Sequence, residues 1–503
     1  MIKLAIAIPA ALLLAGCGDT ATAPVSDTAP EAPIVHFAEL PEAPPPVAMP
    51  TEIDPAMQDQ LVSAISRIVV LQQVLASKEV TGEVLEVEAE LPRESAESAL
   101  ENAKANLAAM SRGSIPTYVL IHNLDAAGHL RAWLIGPDGG TVSGVSDMPY
   151  DGLTAMTKGL GVRRLAMSRS RAPRGEPLPT EQEIRAAEAA DRSPEAVEER
   201  RRTLAETAEL LLPGVVRDAL GSRSGRLLII PALDTGTAPY AALPLANGYA
   251  AENWSFVLLP DIPALSNEEP TYDFGQVEID KAVIVGDPDL SGDTSWNWAK
   301  LPGARAEAQA VAQMLDAPGN RLMIGEEATR RNLVRAIESR RDTGLVYIAS
   351  HAVSHPRNPL TRGYVAMSGG HYYAGHIRQE NFPGWDDNHP LVVLSACQTA
   401  LGRTLEGGGF GIARTWTRAG AGQVAGSLWN VSDSATKVLM TNFMRQMKAG
   451  YAPEFAMQKA QLQTLRHVDD RGRQPFMNDP KMWASFTIFG KPSRQIRRNS
   501  PQT

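Results

Sequence analysis

The chain has 503 residues, more than a single hydrophobic core usually serves, so we expect two or three folded units. Hydrophobic residues make up 44% and charged residues 21%, which excludes a wholly disordered chain and a fibrous one. The net charge of −9 argues against a nucleic-acid-binding protein, which needs a basic surface or stripe. The two cysteines, Cys17 and Cys397, are too few for a disulfide framework or a four-cysteine metal site.

Residues 1–17 are typical of an export signal. Lys3 supplies a positive charge, Leu4–Leu14 form an apolar run too short to span a bilayer, and small residues lead to Cys17. The ending resembles the lipobox of bacterial lipoproteins, which implies that Cys17 is acylated and becomes the first residue of the mature chain. Two or three acyl chains would anchor the protein stably, because each buried methylene contributes about 0.8 kcal/mol. A plain secretory signal with an incidental cysteine is the alternative.

Residues 18–54 are rich in Pro, Ala, Thr and Glu and predict an extended tether, because such a segment cannot bury a core. The lipoprotein resemblance also implies a location. An acidic residue directly after the lipidated cysteine favours inner-membrane retention in enterobacterial lipoproteins, and Gly18 stands there instead. We therefore expect a lipid anchor in the cell envelope of a Gram-negative bacterium, facing the periplasm, with the outer membrane preferred.

Residues 55–115 are predicted to be a helical segment of two or three helices. Their apolar residues recur at helical spacing, as at Leu61, Ile65, Ile68, Val69, Leu75, Leu100, Leu107 and Met110.

Residues 116–225 are predicted to form a small subdomain with strands and a charged helix. Strand-like runs at Tyr118–His122 and Leu130–Ile135 are joined by an Asp125–Gly128 hairpin loop, and Asp138–Gly140 makes a second turn. A break rich in Pro and Arg follows at Ser168–Thr180, and Glu181–Leu212 is a charged helical stretch.

From Arg226 to residue 492 the pattern changes to short, nearly all-apolar runs. These are Leu227–Ile230, Ala282–Val285, Leu345–Ala349, Leu391–Leu394 and Val424–Leu428, with helical stretches such as Ala304–Leu315 and Thr329–Ile337 between them. Continuous apolar strands that alternate with helices predict an α/β fold, a mostly parallel sheet with helices on both faces. Chemistry in such sheets lies just beyond the carboxyl ends of the strands. Residues 493–503 are predicted to be a C-terminal tail.

Two chemically capable residues follow neighbouring runs. His351 ends the run that begins at Leu345, and Cys397 ends the run that begins at Leu391, so both are expected at the same edge of the sheet. A thiol needs an adjacent base to become a thiolate near neutral pH, and imidazole is the usual partner. Alone, Cys397 would be read as a small buried hydrophobe and His351 as a loop histidine with its hydrogen bonds satisfied. Their paired placement instead predicts a dyad, with the backbone N–H groups of Cys397 and Ala352 stabilising an oxyanion.

Several motifs around this pair resemble the CHAT domain of the caspase and separase clan. They are the IP…PYAALP segment within 230–244, the ASH at 349–351, LVVLSACQTALG at 391–402, QVAGSLWNVSD at 423–433 and WASF…FG within 483–490. The resemblance covers about residues 116–492. It implies a caspase-like sheet and cysteine peptidase chemistry, with His351 as general base and Cys397 as nucleophile.

One residue departs from the family pattern. Members usually have Gly directly after the histidine, and here Ala352 stands in its place. Gly allows unusual backbone angles and close substrate approach, and Ala is its mildest replacement. The departure weakens the oxyanion prediction without removing the dyad. His355, in the next loop, is the other candidate base, but His351 has the strand-end position.

The stretch from Leu428 to Asp433 resembles the separase segment whose aspartate lines the first specificity pocket. Asp433, with Trp429, is therefore a candidate pocket residue that would pair with an Arg or Lys of the substrate. The alternative is that Asp433 caps a helix over Ser434–Lys448.

Two further features carry no cofactor prediction. The glycine-rich loop Glu406–Gly411 lacks the Lys-Ser/Thr of a phosphate loop and is predicted to be a mobile loop beside the nucleophile. His371 and His376 lie in a Tyr/Gly-rich segment without carboxylate support, which indicates a surface strand and turn rather than a metal site. No metal and no cofactor are predicted.

The leading hypothesis is a membrane-tethered periplasmic cysteine endopeptidase that cuts protein or peptide substrates after a basic residue. An unpaired cysteine is a liability in an oxidising periplasm, so the presence of Cys397 favours chemistry. The alternative is an inactive CHAT scaffold that binds a protein partner, or a latent enzyme that a partner activates at the helical segment.

Overall fold

The computed structural model describes residues 48–81, 91–112, 115–153, 171–246, 248–274, 277–316, 320–353, 359–396, 411–429, 433–477, 479–494 and 496–497. The strands in chain order are β1 (Thr117–Leu124), β2 (His129–Ile135), β3 (Thr141–Pro149), β4 (Arg171–Pro173), β5 (Gly225–Ile230), β6 (Pro244–Leu245), β7 (Gly248–Tyr249), β8 (Trp254–Leu258), β9 (Ala282–Pro288), β10 (Trp296–Trp298), β11 (Arg321–Gly325), β12 (Leu345–Ala349), β13 (Ala352–Val353), β14 (Tyr364–Val365), β15 (Tyr372–Tyr373), β16 (Leu391–Ser395), β17 (Gln423–Ser427) and β18 (Phe486–Gly490).

The helices are α1 (Pro55–Thr81), α2 (Arg93–Ser111), α3 (Glu181–Asp191), α4 (Pro194–Leu211), α5 (Val215–Gly221), α6 (Pro263–Ser266), α7 (Pro302–Leu315), α8 (Arg330–Glu338), α9 (Pro359–Arg362), α10 (Ala374–Ile377), α11 (Trp385–Asn388), α12 (Gly411–Arg418), α13 (Asp433–Lys448), α14 (Pro453–Leu465) and α15 (Pro480–Trp483).

One large sheet organises these elements. In the described part of the chain it has eleven strands in the order β11-β9-β12-β16-β17-β18-β8-β5-β1-β2-β3. The strands from β11 to β17 are parallel, and β18 runs antiparallel to β17. All five apolar runs predicted as strands lie in this sheet, so the predicted fold class is confirmed.

The sheet separates two cores, which explains why its central strands are apolar on both sides. In β12, Val346 and Ile348 contribute to one core, while Leu345 and Tyr347 contribute to the other. Helix α7 lies close to one face because Gly286 in β9 has no side chain. A Cβ there would lie 2.4 Å from that of Ala308, closer than atoms can approach.

The predicted strand-containing subdomain extends the same sheet. Strand β1 pairs in parallel with β5, and the β1–β2 and β2–β3 pairs are antiparallel, as the two predicted turns require. Helices α1 and α2 bury apolar residues, among them Leu61 and Leu107, against this part of the sheet. The described residues contain no helix long and apolar enough to cross a membrane.

The charged stretch from residue 181 to 212 forms two helices rather than one. Ser193 accepts a hydrogen bond from the Ala196 N–H, and Pro194 stands at the first position of α4. Both features start a new helix at this point. The Pro/Arg-rich break before it contains strand β4, which pairs with β10 in a separate two-stranded sheet.

Candidate active site at the carboxyl edge of the sheet

His351 lies where the sequence places it, just beyond the carboxyl end of β12. The last register pair between β12 and β16 joins Ala349 to Ser395. His351 is the second residue after Ala349, and Cys397 is the second residue after Ser395. Neighbouring strands are about 4.8 Å apart, so this register supports a close approach of the two residues. Cys397 itself lies outside the described residues, and the dyad stays a prediction.

A backbone carbonyl fixes the imidazole of His351. The side chain is buried, with 3% of its surface exposed, and Nε2 lies 2.8 Å from the carbonyl oxygen of Ala299. Because a carbonyl only accepts, Nε2 carries the proton and donates it to this bond. Nδ1 then holds the lone pair, and it has no hydrogen-bond partner among the described residues. The ring is therefore held in the tautomer whose Nδ1 can accept a proton.

Burial keeps this imidazole neutral. Loss of solvation lowers the pKa of His351 to about 4, against the opposing effects of the Ala299 carbonyl and the Asp287 carboxylate. Asp287, the second-last residue of β9, has a left-handed backbone with φ 44°, and its carboxylate accepts a hydrogen bond from Arg305 Nε at 2.8 Å. At pH 7 the imidazole is therefore in its neutral form and can accept a proton directly.

We predict that activity persists well below the ordinary pKa of histidine. A general base must be neutral, so the acid limb of kcat/KM is expected near pH 4 rather than near pH 6.5. Stability should fall as pH drops from 6.5 to 4, because the unfolded chain binds the proton first in that window. Peptide hydrolysis measured from pH 3.5 to 8 tests the first point. An acid limb near pH 6.5 would contradict the buried geometry.

An aromatic wall covers the imidazole on one side. The Trp298 ring lies 5.0 Å from that of His351, centroid to centroid, with 32° between the planes. The Trp298 indole N–H donates to Asp293 Oδ2 at 2.7 Å, and His371 Nε2 lies 3.0 Å from the same oxygen. Asp293 therefore holds Trp298 and His371 together beside the candidate base.

Arg171 connects the tryptophans of strand β10 to Tyr364 of strand β14. Its guanidinium lies 3.9 Å from the ring centroid of Trp296 and 5.6 Å from that of Trp298. Its Nη1 also donates to the hydroxyl of Tyr364 at 2.6 Å. Cation–π contacts of this kind contribute about 0.5–2 kcal/mol each. Arg171 thus stabilises β10, whose next residue, Ala299, carries the carbonyl that orients His351.

The structure corrects the prediction for His371. It has carboxylate support, from Asp293, and its ring stacks on Tyr364 with centroids 4.3 Å apart. No local pattern predicts this pair, because Asp293 lies 78 residues earlier in the chain. No metal-binding group of three or more such side chains occurs among the described residues.

Ala352 is compatible with the predicted oxyanion role. It is not among the described non-glycine residues with positive φ, so its backbone does not need glycine. The Ala366 N–H donates to the His351 carbonyl at 2.8 Å. That bond makes Ala352–Val365 a non-hydrogen-bonded pair, in which the Ala352 N–H does not point at the partner strand.

Trp429 lines a cleft below this edge of the sheet. It is 1% exposed, and its indole N–H donates to the Lys481 carbonyl at 2.9 Å, so the ring is fixed. Asp433 is the first residue of α13, and its side chain is outside the described part of the structure. Cys17, His355 and residues 406–410 of the glycine-rich loop also lie outside it.

Three functional candidates were not predicted from the sequence: Ala299, Arg171 and Glu307. Ala299 acts through a backbone group, which leaves no pattern in a sequence. Glu307 had a detectable signal, because it shares the buried face of α7 with Val311 and Leu315, four and eight residues later. A carboxylate on an apolar helical face needs a partner or a ligand.

Comparison with known proteins identifies the family. The family model of the CHAT domain matches residues 201–491, which is more than half of the chain. The chain belongs to the CHAT domain family. Tetratricopeptide repeat protein 28 of Mus musculus is 24% identical over 322 residues, and its Homo sapiens counterpart is 23% identical over the same length. Both matches cover 56% of this chain and 12% of the relative, so the chain spans about an eighth of those proteins.

The fold of this CHAT protein is similar to one in separase. A crystal structure of the Saccharomyces cerevisiae separase–securin complex matches with a TM-score of 0.55 and 11% identity. The match covers 88% of this chain and 34% of the separase-complex chain. A second crystal structure of that complex gives a TM-score of 0.54 over the same shares. The predicted likeness to the caspase and separase clan is confirmed for the fold.

Proposed function

We propose that this CHAT protein is a periplasmic cysteine endopeptidase, tethered to the membrane through Cys17, that cuts after a basic residue. The observation that carries the proposal is the state of His351. Its imidazole is neutral, and its Nε2–H donates a hydrogen bond to the Ala299 carbonyl. Its Nδ1 has no hydrogen-bond partner among the described residues. A base oriented by a third group, one strand away from a cysteine, is the arrangement that nucleophilic catalysis needs.

The proposed reaction has two stages. Nδ1 of His351 takes the proton of the Cys397 thiol as the sulfur attacks the scissile carbonyl carbon. The backbone N–H groups of Ala352 and Cys397 donate to the oxyanion that forms. The imidazolium, held by the Ala299 carbonyl, gives its proton to the leaving amine, and the C–N bond breaks. Water then hydrolyses the thioester, with His351 as base again, and frees the acid and the thiol.

The basic preference is supported by the resemblance of the segment from Leu428 to Asp433 to the separase segment whose aspartate lines the first specificity pocket. In the proposed enzyme, Asp433 and Trp429 belong to the first specificity pocket, where a carboxylate pairs with Arg or Lys. A protein activator at the helical segment would contact the polar surface of α1 and α2. The buried apolar residues of these helices, such as Leu61 and Leu107, pack against the sheet.

A thiol-reactive peptide probe that ends in Arg tests the proposal. The purified protein should be labelled rapidly at Cys397, and labelling should disappear in Cys397→Ala and His351→Ala. A matched probe that ends in Asp should label slowly. Fast labelling by the Asp probe would keep the peptidase and contradict the basic preference. Labelling no faster than that of a free thiol, with or without envelope extract, would favour the inactive scaffold.

A further inference from the structure

Asp287 lies at an irregularity of strand β9, at the same edge of the sheet as His351. Gly286, one residue earlier, pairs with Ala349 of β12, which is two residues before His351. On the β11 side the register shifts at this point, and Asp287 is the extra residue of the bulge. Its φ of 44° is unusual for a residue other than glycine. Bulges and strained backbone angles of this kind are common next to active sites, where they re-aim a side chain.

Arg305 holds the Asp287 carboxylate from helix α7. Its Nε donates to Oδ2 of Asp287 at 2.8 Å, and its Nη2 lies over Gly325, where a Cβ would be 3.6 Å away. The side chains of Arg305 and Asp287 are 48% and 22% exposed. Because water reaches both side chains, the ion pair is weakened by solvent screening, and Arg305 offsets only part of the negative charge. The carboxylate still favours the protonated form of His351.

A proton accepted by His351 creates a cation in a buried site. Loss of solvation disfavours this cation, and the Arg171 guanidinium on β4 disfavours it further. The Ala299 carbonyl accepts the Nε2–H bond, but it contributes a dipole and not a full charge. Asp287 contributes a full negative charge, which opposes the effect of Arg171.

Two other titratable groups lie near the ring, before and after β10 in the chain. Asp293 Oδ2 accepts a hydrogen bond from the Trp298 indole and lies 3.0 Å from Nε2 of His371. The rings of Trp298 and His371 are 5.8 Å apart, and Trp298 packs against the imidazole of His351. Asp293 and His371 therefore act on the position of Trp298, whereas Asp287 acts on the charge of His351.

We propose that Asp287 is a positioning residue for the candidate base, whose carboxylate stabilises the imidazolium form of His351 to a degree that Arg305 sets. Its part in catalysis rests on the proposed function, in which the imidazolium arises when His351 takes the thiol proton. The charge coupling itself belongs to the folded protein and is measurable without a substrate. A purely structural role is the competing explanation, in which Asp287 serves only to join β9 to α7.

Three substitutions separate these explanations. Asp287→Asn removes the charge, keeps an oxygen that can accept from Arg305, and suits a left-handed backbone. Arg305→Gln removes the guanidinium and leaves the carboxylate. Asp289→Asn is the matched control, because it removes a carboxylate two residues further along the chain, which accepts a hydrogen bond from the Ser291 N–H at 3.0 Å.

The experiment follows the His351 imidazole by NMR in the full chain labelled with ¹⁵N-histidine, with its signal assigned from its loss in His351→Ala. At pH 4.5 the protonated fraction of His351 should fall about fourfold in Asp287→Asn and rise about twofold in Arg305→Gln. Asp289→Asn should leave this fraction unchanged. In hydrolysis of an Arg peptide at pH 7, Asp287→Asn should lower kcat by about fivefold and leave KM unchanged. Thermal melting at both pH values checks that each variant is folded.

Unchanged protonation of His351 in both Asp287→Asn and Arg305→Gln would overturn the inference. Equal changes in Asp287→Asn and Asp289→Asn would also overturn it, because they would show a general effect of net charge. If protonation changes as expected but the wild type cleaves no peptide, the coupling stands and the proposed function fails. If the wild type cleaves the peptide and Asp287→Asn titrates like the wild type, the function stands and the inference fails.

Discussion

Loss of either dyad residue is expected to lower kcat/KM by about 10⁴-fold or more, the scale seen when a nucleophile or its base is removed from such a unit. Cys397→Ala removes the attacking atom, and His351→Ala removes the group that takes its proton. The double variant should be no slower than either single variant, because the two residues act together. Hydrolysis of an Arg peptide, measured with stopped and continuous assays, gives kcat/KM for the two single variants and the double variant.

His467→Ala is the matched control for the histidine variant. His467 lies after α14, where its ring stacks on Phe476 at 5.6 Å, and it makes no described contact with the site. The kcat/KM of the His467→Ala variant should stay within about twofold of the wild-type value. Residual activity of His351→Ala close to that of His467→Ala would mean that His351 is not the base.

The second large effect is expected in stability, at Arg226. Arg226 is 3% exposed, and its Nη1 lies 3.0 Å from Oε1 of Glu454, which is 1% exposed. The same guanidinium donates to the Ser493 carbonyl at 2.6 Å and to Thr117 Oγ1 at 3.2 Å. Arg226→Met should lower the free energy of unfolding by about 3–5 kcal/mol, because it leaves the buried Glu454 carboxylate without its counter-charge. Denaturant unfolding followed by circular dichroism measures this loss.

An exposed ion pair provides the control for that variant. Arg93 and Asp59 form an ion pair with a 2.5 Å contact, and their side chains are 61% and 57% exposed. Arg93→Ala should leave the unfolding midpoint unchanged, since water and salt screen such pairs. Equal midpoints for Arg226→Met and Arg93→Ala would contradict the account of the buried network.

The sheet could be predicted because each of its central strands is marked by a local pattern, a short run of apolar residues. Runs such as Leu345–Ala349 and Leu391–Leu394 are apolar at every position, which is typical of a strand buried on both faces. The same local reasoning places His351 correctly, since it follows its strand directly. Local patterns also distinguish the charged helical stretch from the strands of the sheet. They do not predict that a new helix begins at Pro194 within that stretch.

The surroundings of His351 could not be predicted in the same way. Its hydrogen-bond partner is the backbone of Ala299, 52 residues earlier, and the clamp on that segment is Arg171, which lies in a Pro/Arg-rich stretch without periodicity. Such contacts depend on how separate segments pack and not on local pattern. Glu307 is intermediate, because its place on the apolar face of α7 is visible in the sequence while its closeness to the strand ends is not.

The reactivity of Cys397 toward iodoacetamide at pH 6 is the most direct test of the central claim. A free thiol with a pKa near 8.5 is less than about 1% ionised at that pH and reacts slowly. The neutral imidazole of His351 would take the thiol proton as the sulfur attacks iodoacetamide. We therefore predict alkylation of Cys397 at least about tenfold faster than that of a cysteine in an unfolded peptide, falling to the peptide rate in His351→Ala. Equal, slow rates in the wild type and in His351→Ala, with both proteins folded, would show that His351 does not activate this thiol.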